Sequence, residues 1–410
     1  MSVAWSLGLR PSAEEFLARH PEVRTDPLAA TRVIYEEVCL REGIGQRPNP
    51  EELLDRFPQW GDQLRMLLEC HQIVTPEALA DGLPEVGEVL GEYTLRMVLG
   101  HGTRGRVFLA TQGSLGDRPV VLKVTPRRGG EHLSLARLQH PHVVPLYACH
   151  EFPERDLRAL CMPYLGGATL DRVVDRIRGR SPTGLSGATF LDVLDEARTE
   201  FIELPAWSAT RQFLARATYP RAVCWLGACL AEALHYAHVR GVLHLDLKPS
   251  NILLADDGQP MLLDFHLARG PLDPGDPPAD RLGGTPAYAA IEHRRAMLAV
   301  KEGRPVPERV DGRSDLFSLG VVLYEALAGE PPADETSAIA ASLVRANATV
   351  PLGLAEILQH CLRPHAADRY RDAAALAADL RGHLGHLPMQ GSPGRARFVR
   401  WRPRWPGRRA

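Results

Sequence analysis

The sequence predicts an α+β protein of two lobes, a small β-rich lobe followed by a larger helical one, with a helical segment in front. Three observations lead there. From Gly91, "EYTLRMVLG", "GRVFLATQG" and "RPVVLKVTP" are short β-rich runs divided by Gly, Asp and Pro, as in a strand meander. From Leu226, "LGACLAEALHYAHVRG", "SDLFSLGVVLYEALAG", "LAEILQHCLR" and "DAAALAADLRGHL" read as helices. Ahead of both, residues 1–85 carry helix-start signals. Strands gathered before helices, rather than alternating with them, give segregated layers.

The elements follow in order. Ser12 with Glu15, and Asn49-Pro50-Glu51-Glu52, resemble capping boxes, the second with Pro at the first helical position. Asp26-Pro27 opens a further helix that Gly43 closes. "EEFLARHP" and "EELLDRFP" echo one another as two similar helix-turn units, and a longer helix runs through "DQLRMLLECHQIV". No catalytic constellation occurs here, so 1–85 reads as a docking or regulatory segment. The small lobe spans 91–165, where the amphipathic "EHLSLARLQ" interrupts the strands before "HVVPLYACH" and "ALCMPYL" resume them. The helical lobe spans 166–387. Within it, residues 179–220 fit neither pattern and are expected to form an insert on the surface that tolerates deletion, because closing a longer exposed loop costs little.

Composition narrows the function classes. The 410 residues carry a formal net charge of −2, which argues against wholesale nucleic-acid binding. Seven arginines and no acid lie between Arg395 and Ala410. The tail 388–410 therefore reads either as a disordered, solvated end or as a contact for a polyanion or an anionic membrane surface. The seven cysteines are scattered and never form a CxxC pair, which fits a reducing cytoplasm rather than a disulfide framework or a zinc site. No signal peptide or transmembrane stretch is expected.

Motifs carry the chemistry. Gly100, Gly102 and Gly105 form a GxGxxG between two strands. A strand, not a helix, follows, which disfavours a dinucleotide fold and suits backbone N–H groups approaching nucleotide phosphates. Lys123 sits in "VVLKV", and Glu131 opens the next helix in position to hold Lys123 against the phosphates. In "HLDLKPSN", Asp246 precedes Asn251, and Asp264 follows further on. Phosphoryl transfer asks for oxygen ligands to Mg²⁺, charge neutralisation and an oriented nucleophile. Asn251 and Asp264 are apt oxygen ligands, Asp246 would accept a hydroxyl proton, and Lys248 would offset charge on the transferred group.

With these motifs the chain resembles a bacterial eukaryotic-type (Hanks-type) Ser/Thr protein kinase over about 91–387. The N-terminal helices are similar to those preceding such kinases in planctomycete-like bacteria. The resemblance implies the two-lobed protein-kinase fold, ATP and Mg²⁺ as cofactors, and protein substrates with Ser or Thr acceptors. "GGTPAYAAIEH" matches the family's Gly-Thr-Pro-x-Tyr-x-Ala-Pro-Glu, with Thr285 on the substrate side and Glu292 closing it. Asp315 matches the helix Asp that braces the catalytic loop, and Arg369 the partner of Glu292. Met162 falls at the gatekeeper and Pro163 to Leu165 at the hinge. Gly100, Gly102, Gly105, Val107, Val121, Lys123, Met162, Pro163 and Leu165 are thereby nucleotide-binding positions, Asn251 and Asp264 metal ligands, and Asp246, Lys248, Lys123, Glu131 and Thr285 catalytic.

Four positions depart from the family pattern. Val121 replaces an Ala and narrows the roof of the pocket; Ala290 replaces a Pro. His266 stands where Asp-Phe-Gly has its glycine, and Leu245 where His-Arg-Asp has its arginine. No position assigned to metal or phosphate is lost, which favours an active Ser/Thr kinase over a pseudokinase that binds nucleotide or scaffolds partners. Leu245 offers no charge to a phosphate, and Thr285 is the one Ser/Thr hydroxyl between Phe265 and Ala290. The expectation is an enzyme that does not require phosphorylation of this segment, controlled through the N-terminal helices, the insert or a partner.

Overall fold

The computed structural model describes residues 11–24, 27–43, 46, 48–61, 64–65, 83–102, 105–127, 131–198, 208–265, 267–277, 282–332 and 338–386. Most of "DQLRMLLECHQIV", His266 and the tail 388–410 lie outside them.

The N-terminal helices start where local chemistry dictates. Ser12 caps Ala13–Arg19 by accepting from Glu15 N–H at 3.3 Å, and Asn49 caps Pro50–Arg56 by accepting from Glu51 N–H at 3.1 Å. The two echoed segments are thus two seven-residue helices in the same register. They close, with Pro27–Gly43, around Leu17, Ile34, Val38, Leu53, Phe57 and Trp60. The buried Glu37 carboxylate receives Ala13 N–H at 2.5 Å and Arg56 at 3.1 Å. Arg56 also forks onto Glu14 and holds that carboxyl down at about 2.

The small lobe is a six-stranded antiparallel sheet in the order β1-β2-β3-β4-β6-β5. Its strands are β1 (Val89–Leu90), β2 (Tyr93–Gly102), β3 (Gly105–Gln112), β4 (Arg118–Pro126), β5 (Ala148–Phe152) and β6 (Leu157–Pro163). Alternation along β4 sends Val120, Leu122 and Val124 into the lobe's core with Tyr93, Leu95 and Phe108. Val121 and Lys123 therefore face the other way. The stretch "HVVPLY" is not a strand: Val143 makes a single bridge to Leu262, and Pro145 breaks further pairing.

The large lobe is built on helices Tyr219–Val239 and Gly312–Ala328, which pack against Leu352–Cys361 and Ala373–Leu384 in one apolar core. A three-stranded antiparallel sheet, β7 (Ala168–Thr169), β8 (Ile252–Leu254) and β9 (Pro260–Leu262), lies beneath the hinge.

One expectation is corrected here. Residues 179–198 and 208–220 are not a surface excursion: helices Ala188–Glu196 and Ala209–Arg216 bury Phe190, Val193, Leu194 and Leu214 in the main core. Ser208 Oγ and Arg211 Nη1 donate to the carbonyls of Asp257 and Asp256 at 2.8 and 2.9 Å, and Gln259 Nε2 donates to Thr210 Oγ1 at 2.6 Å. The segment straps the turn between β8 and β9.

Candidate active site

Two strands and a short helix bring the first set of groups together. Lys123 leaves β4 on the cleft-facing side, opposite Val107 on β3 and Leu160 on β6. Its Nζ lies 2.7 Å from Glu131 Oε1, at the start of the six-residue helix Glu131–Ala136, and 2.6 Å from Asp264 Oδ1. Burial alone would lower the pKa of the Lys123 ammonium; the two carboxylates outweigh burial and hold it above its ordinary value. A cation fixed between two carboxylates and 12 % exposed carries the charge that a polyphosphate needs.

The second set sits on the loop between Tyr219–Val239 and β8. Asp246 Oδ1 accepts from Thr285 Oγ1 at 2.7 Å, while Lys248 Nζ donates to that hydroxyl at 3.0 Å and lies 3.3 Å from Asp246 Oδ2. Asn251 Nδ2 donates to the Asp246 carbonyl at 2.8 Å and to its Oδ2 at 3.1 Å. The Asn251 nitrogen is thereby committed to Asp246, which leaves the amide oxygen as the ligand-type atom. β8 begins directly after Asn251, and β9 leads through Leu263 to Asp264, so one hairpin carries both candidate metal ligands. Among the described residues no three His, Cys, Asp or Glu side chains converge as a metal cage. An amide oxygen and a carboxylate fit Mg²⁺ of the kind that takes its remaining ligands from phosphates and water.

Backbone at the site is strained and firmly held. Leu245 and Asp264 have φ of +62° and +60°, a region that non-glycine residues rarely occupy. Asp315, 0 % exposed on Gly312–Ala328, takes the N–H groups of His244 and Leu245 at 2.8 Å each and His238 Nε2 at 2.8 Å. Burial would raise the Asp315 carboxyl's pKa, but these hydrogen bonds and the neighbouring imidazoles hold it below its ordinary value. His244 Nε2 lies 2.8 Å from the Leu263 carbonyl, and its ring packs at a tilt against Phe265, with centroids 4.6 Å apart. Glu292 and Arg369 form a bidentate buried pair at 2.7 and 3.0 Å, which Ser314 Oγ joins at 2.7 Å.

The positions expected to bind nucleotide lie on β2, β3, β4 and β6 and just after β6. Gly102 pairs with Gly105 at the tip of the β2–β3 hairpin, and Gly100 with Val107. A Cβ on Gly105 would lie 2.0 Å from the Val124 carbonyl oxygen, so only glycine fits there; Gly100 has open space. Val121 pairs with Met162, and Pro163 ends β6. Leu165 accepts from Asp256 N–H at 3.0 Å, which ties the hinge to the β8–β9 turn. Leu253 was not singled out by the sequence. Its alternation on β8 places it with Met162, Leu165 and Leu263 in a small apolar cluster beneath the hinge.

Residues 214–377 match the family described as protein kinase domain. The match includes Asp246, Lys248, Asn251, Asp264 and Thr285 but not Lys123 or Glu131. The chain is 31 % identical over 309 residues to the DNA damage-responsive serine/threonine-protein kinase RqkA of Deinococcus radiodurans, covering 70 % of this chain and 39 % of that protein. It is 28 % identical over 342 residues to the serine/threonine-protein kinase PknB of Mycolicibacterium smegmatis, covering 77 % and 45 %. A shorter match, 38 % over 171 residues, covering 40 % of this chain and 29 % of that protein, is to the serine/threonine-protein kinase PkaA of Streptomyces coelicolor. The chain thus spans less than half the length of these curated relatives.

Proposed function

Because the chain carries a protein kinase domain and belongs with the bacterial eukaryotic-type serine/threonine protein kinases, we propose that it transfers the γ-phosphoryl group of ATP to Ser or Thr hydroxyls of proteins. The observation that carries this reading is the contact of Lys123 with both Glu131 and Asp264 across the cleft, above an Asp246 already bonded to a threonine hydroxyl. Asn251 and Asp264 would hold Mg²⁺, which supplies neutralisation of phosphate charge.

The remaining work falls to the chain's own side chains. Lys123, steadied by Glu131, binds the α- and β-phosphates under the turn of Gly100, Gly102 and Gly105. Val107 and Val121 cover the adenine, Leu253 supports it from below, and Met162, Pro163 and Leu165 border it. Asp246 orients the acceptor hydroxyl and takes its proton as the new P–O bond forms and the bond to ADP breaks. Lys248 offsets the negative charge on the moving group, and Thr285 keeps the acceptor chain beside Asp246. A scaffold without transfer would be favoured by loss of Lys123, Asp246, Asn251 or Asp264, and all four are present. Control through a partner of the N-terminal helices, and contact of the arginine tail with a polyanion or membrane surface, belong to the same proposal.

The test is incorporation of labelled γ-phosphate by the purified full chain, beside Asp246→Asn. Transfer to Ser or Thr that the variant loses, and that prior phosphatase treatment leaves unchanged, is the expected result. No transfer by the unmodified chain overturns the reading.

A further inference from the structure

The segment from Phe265 to Ala290 carries Thr285 near its end, and it is held at points that the chemistry does not use. Leu245 stands between His244 and Asp246, yet its side chain is 3 % exposed. It lies in an apolar cluster of its own, with Leu272 and Leu282 from the segment, Met297 from helix Ile291–Lys301, and Val306 and Val310 from the loop before Gly312–Ala328. Backbone bonds tie the same partners. Leu272 and Val310 exchange N–H···O bonds at 3.0 Å each, Gly275 N–H donates to Val306 at 2.9 Å, and Val306 N–H donates to Asp276 at 3.1 Å. Arg309 pairs with Asp273 beside them. Nearer Thr285, His293 Nε2 lies 2.9 Å from the Gly283 carbonyl. A Cβ on Gly284, whose φ is +151°, would meet the Leu245 carbonyl oxygen at 2.8 Å.

We propose that Leu245 is a positioning residue: with Leu272, Leu282, Val306 and Val310 it forms an apolar latch that clamps the segment to the 306–310 loop and so sets Thr285 against Asp246 and Lys248. The proposal rests on the phosphotransfer reading and deepens it. The Leu245 side chain is buried in this cluster and is assigned no contact with nucleotide or acceptor. Its side chain holds the segment, while its backbone, fixed by Asp315, leads directly into Asp246. Dispersion and burial do not depend on a charge or a phosphate, so the order of the segment is built into the folded chain.

Leu272→Ala, Val310→Ala and the volume-conserving Leu245→Met are compared with the unmodified full chain. The acceptor is the peptide that the unmodified chain phosphorylates best in a Ser/Thr peptide array. Two readouts are taken: KM for the peptide against KM for ATP, and amide hydrogen exchange at Leu272, Gly275 and Val310. Leu272→Ala is expected to raise the peptide KM about tenfold while the ATP KM stays within about twofold, with faster exchange at Gly275; Leu245→Met behaves as the unmodified chain. Equal changes in both KM values, or an unchanged peptide KM, overturn the latch. Should Leu272→Ala not accumulate as folded protein, Val310→Ala, which removes less volume, decides by the same comparison. If the unmodified chain transfers nothing, the functional reading fails by itself, and exchange still decides: unaltered protection at Gly275 in the alanine variants overturns the latch.

Discussion

Replacing Lys123 with methionine removes the cation that sits between Glu131 and Asp264 and keeps nearly the same side-chain length. Two hydrogen bonds of 2.7 and 2.6 Å are lost, both to charged acceptors. The carboxylates are partly open to the cleft, with side chains 12 % and 28 % exposed, so water replaces much of what they lose. The folding cost is then about 1–3 kcal/mol. The loss in catalysis is larger. A preorganised donor aimed at developing charge contributes about 2.7–4 kcal/mol, or roughly 10²–10³ in rate. The assay is steady-state transfer of labelled γ-phosphate, with thermal unfolding of the same preparations. Turnover should fall by at least about 10² while the unfolding midpoint moves by only a few degrees. Unchanged turnover in a folded variant would refute the assignment of Lys123 and, with it, the cleft as the nucleotide site.

Three further outcomes follow from other parts of the molecule. Glu292→Gln leaves Arg369, whose side chain is 0 % exposed, without its counter-charge; chemical denaturation should show a loss of about 3–5 kcal/mol, much of it recovered in the paired Glu292→Leu, Arg369→Met variant. Phe190→Ala, in the segment first expected to be dispensable, should cost about 3–5 kcal/mol in the same measurement, because the ring is 1 % exposed in the main core. Burial pushes the pKa values of His244 and His293 below the ordinary imidazole range, so the folded chain keeps both neutral where the unfolded chain takes up protons. Stability present above about pH 6.5 should therefore be lost as pH falls, by up to about 1.4 kcal/mol per pH unit for each group. Thermal unfolding between pH 7.5 and 5.5 checks this, and His293→Gln, which can still donate to Gly283, should flatten the slope.

Local chemistry was the legible part of the sequence. The caps at Ser12 and Asn49 involve only the next two or three residues, and each forms as the residue types require. Lys123, Glu131, Asp246, Asn251 and Asp264 stand out in the sequence because charged and amide side chains contrast with apolar surroundings, and the fold brings Lys123 to Asp264 across 141 positions and Asn251 to Asp246. Apolar partners of the site were less legible. Leu253 reads as one more strand residue until the hinge is laid over it. In the large lobe a signal was passed over: Leu170, Val173, Val174 and Ile177 repeat at helical spacing and are all buried on Leu170–Ile177. Phe190, Val193 and Leu194 repeat likewise, but the Gly, Ser, Pro and Trp around them masked the pattern. What makes that segment core rather than surface is packing of Ala188–Glu196 on Leu170–Ile177 and Tyr219, and of Ser208, Thr210 and Arg211 on the β8–β9 turn more than forty residues away, and no local periodicity encodes a partner.

The strap over that turn changes where this protein can be cut. A fragment chosen by family likeness would begin near residue 214. It would carry away Ser208, Thr210 and Arg211 and uncover Leu214 and Tyr219, along with the floor they share with Phe190. The hairpin between Asn251 and Asp264 would lose its outer brace at the same stroke. A folding unit is therefore set by packing and reaches well upstream of residue 214. A fragment beginning near that residue also lacks Lys123 and Glu131, and in a truncation series removal of Phe190 and Leu194 should cost solubility before Asp246, Lys248 or Asn251 is touched.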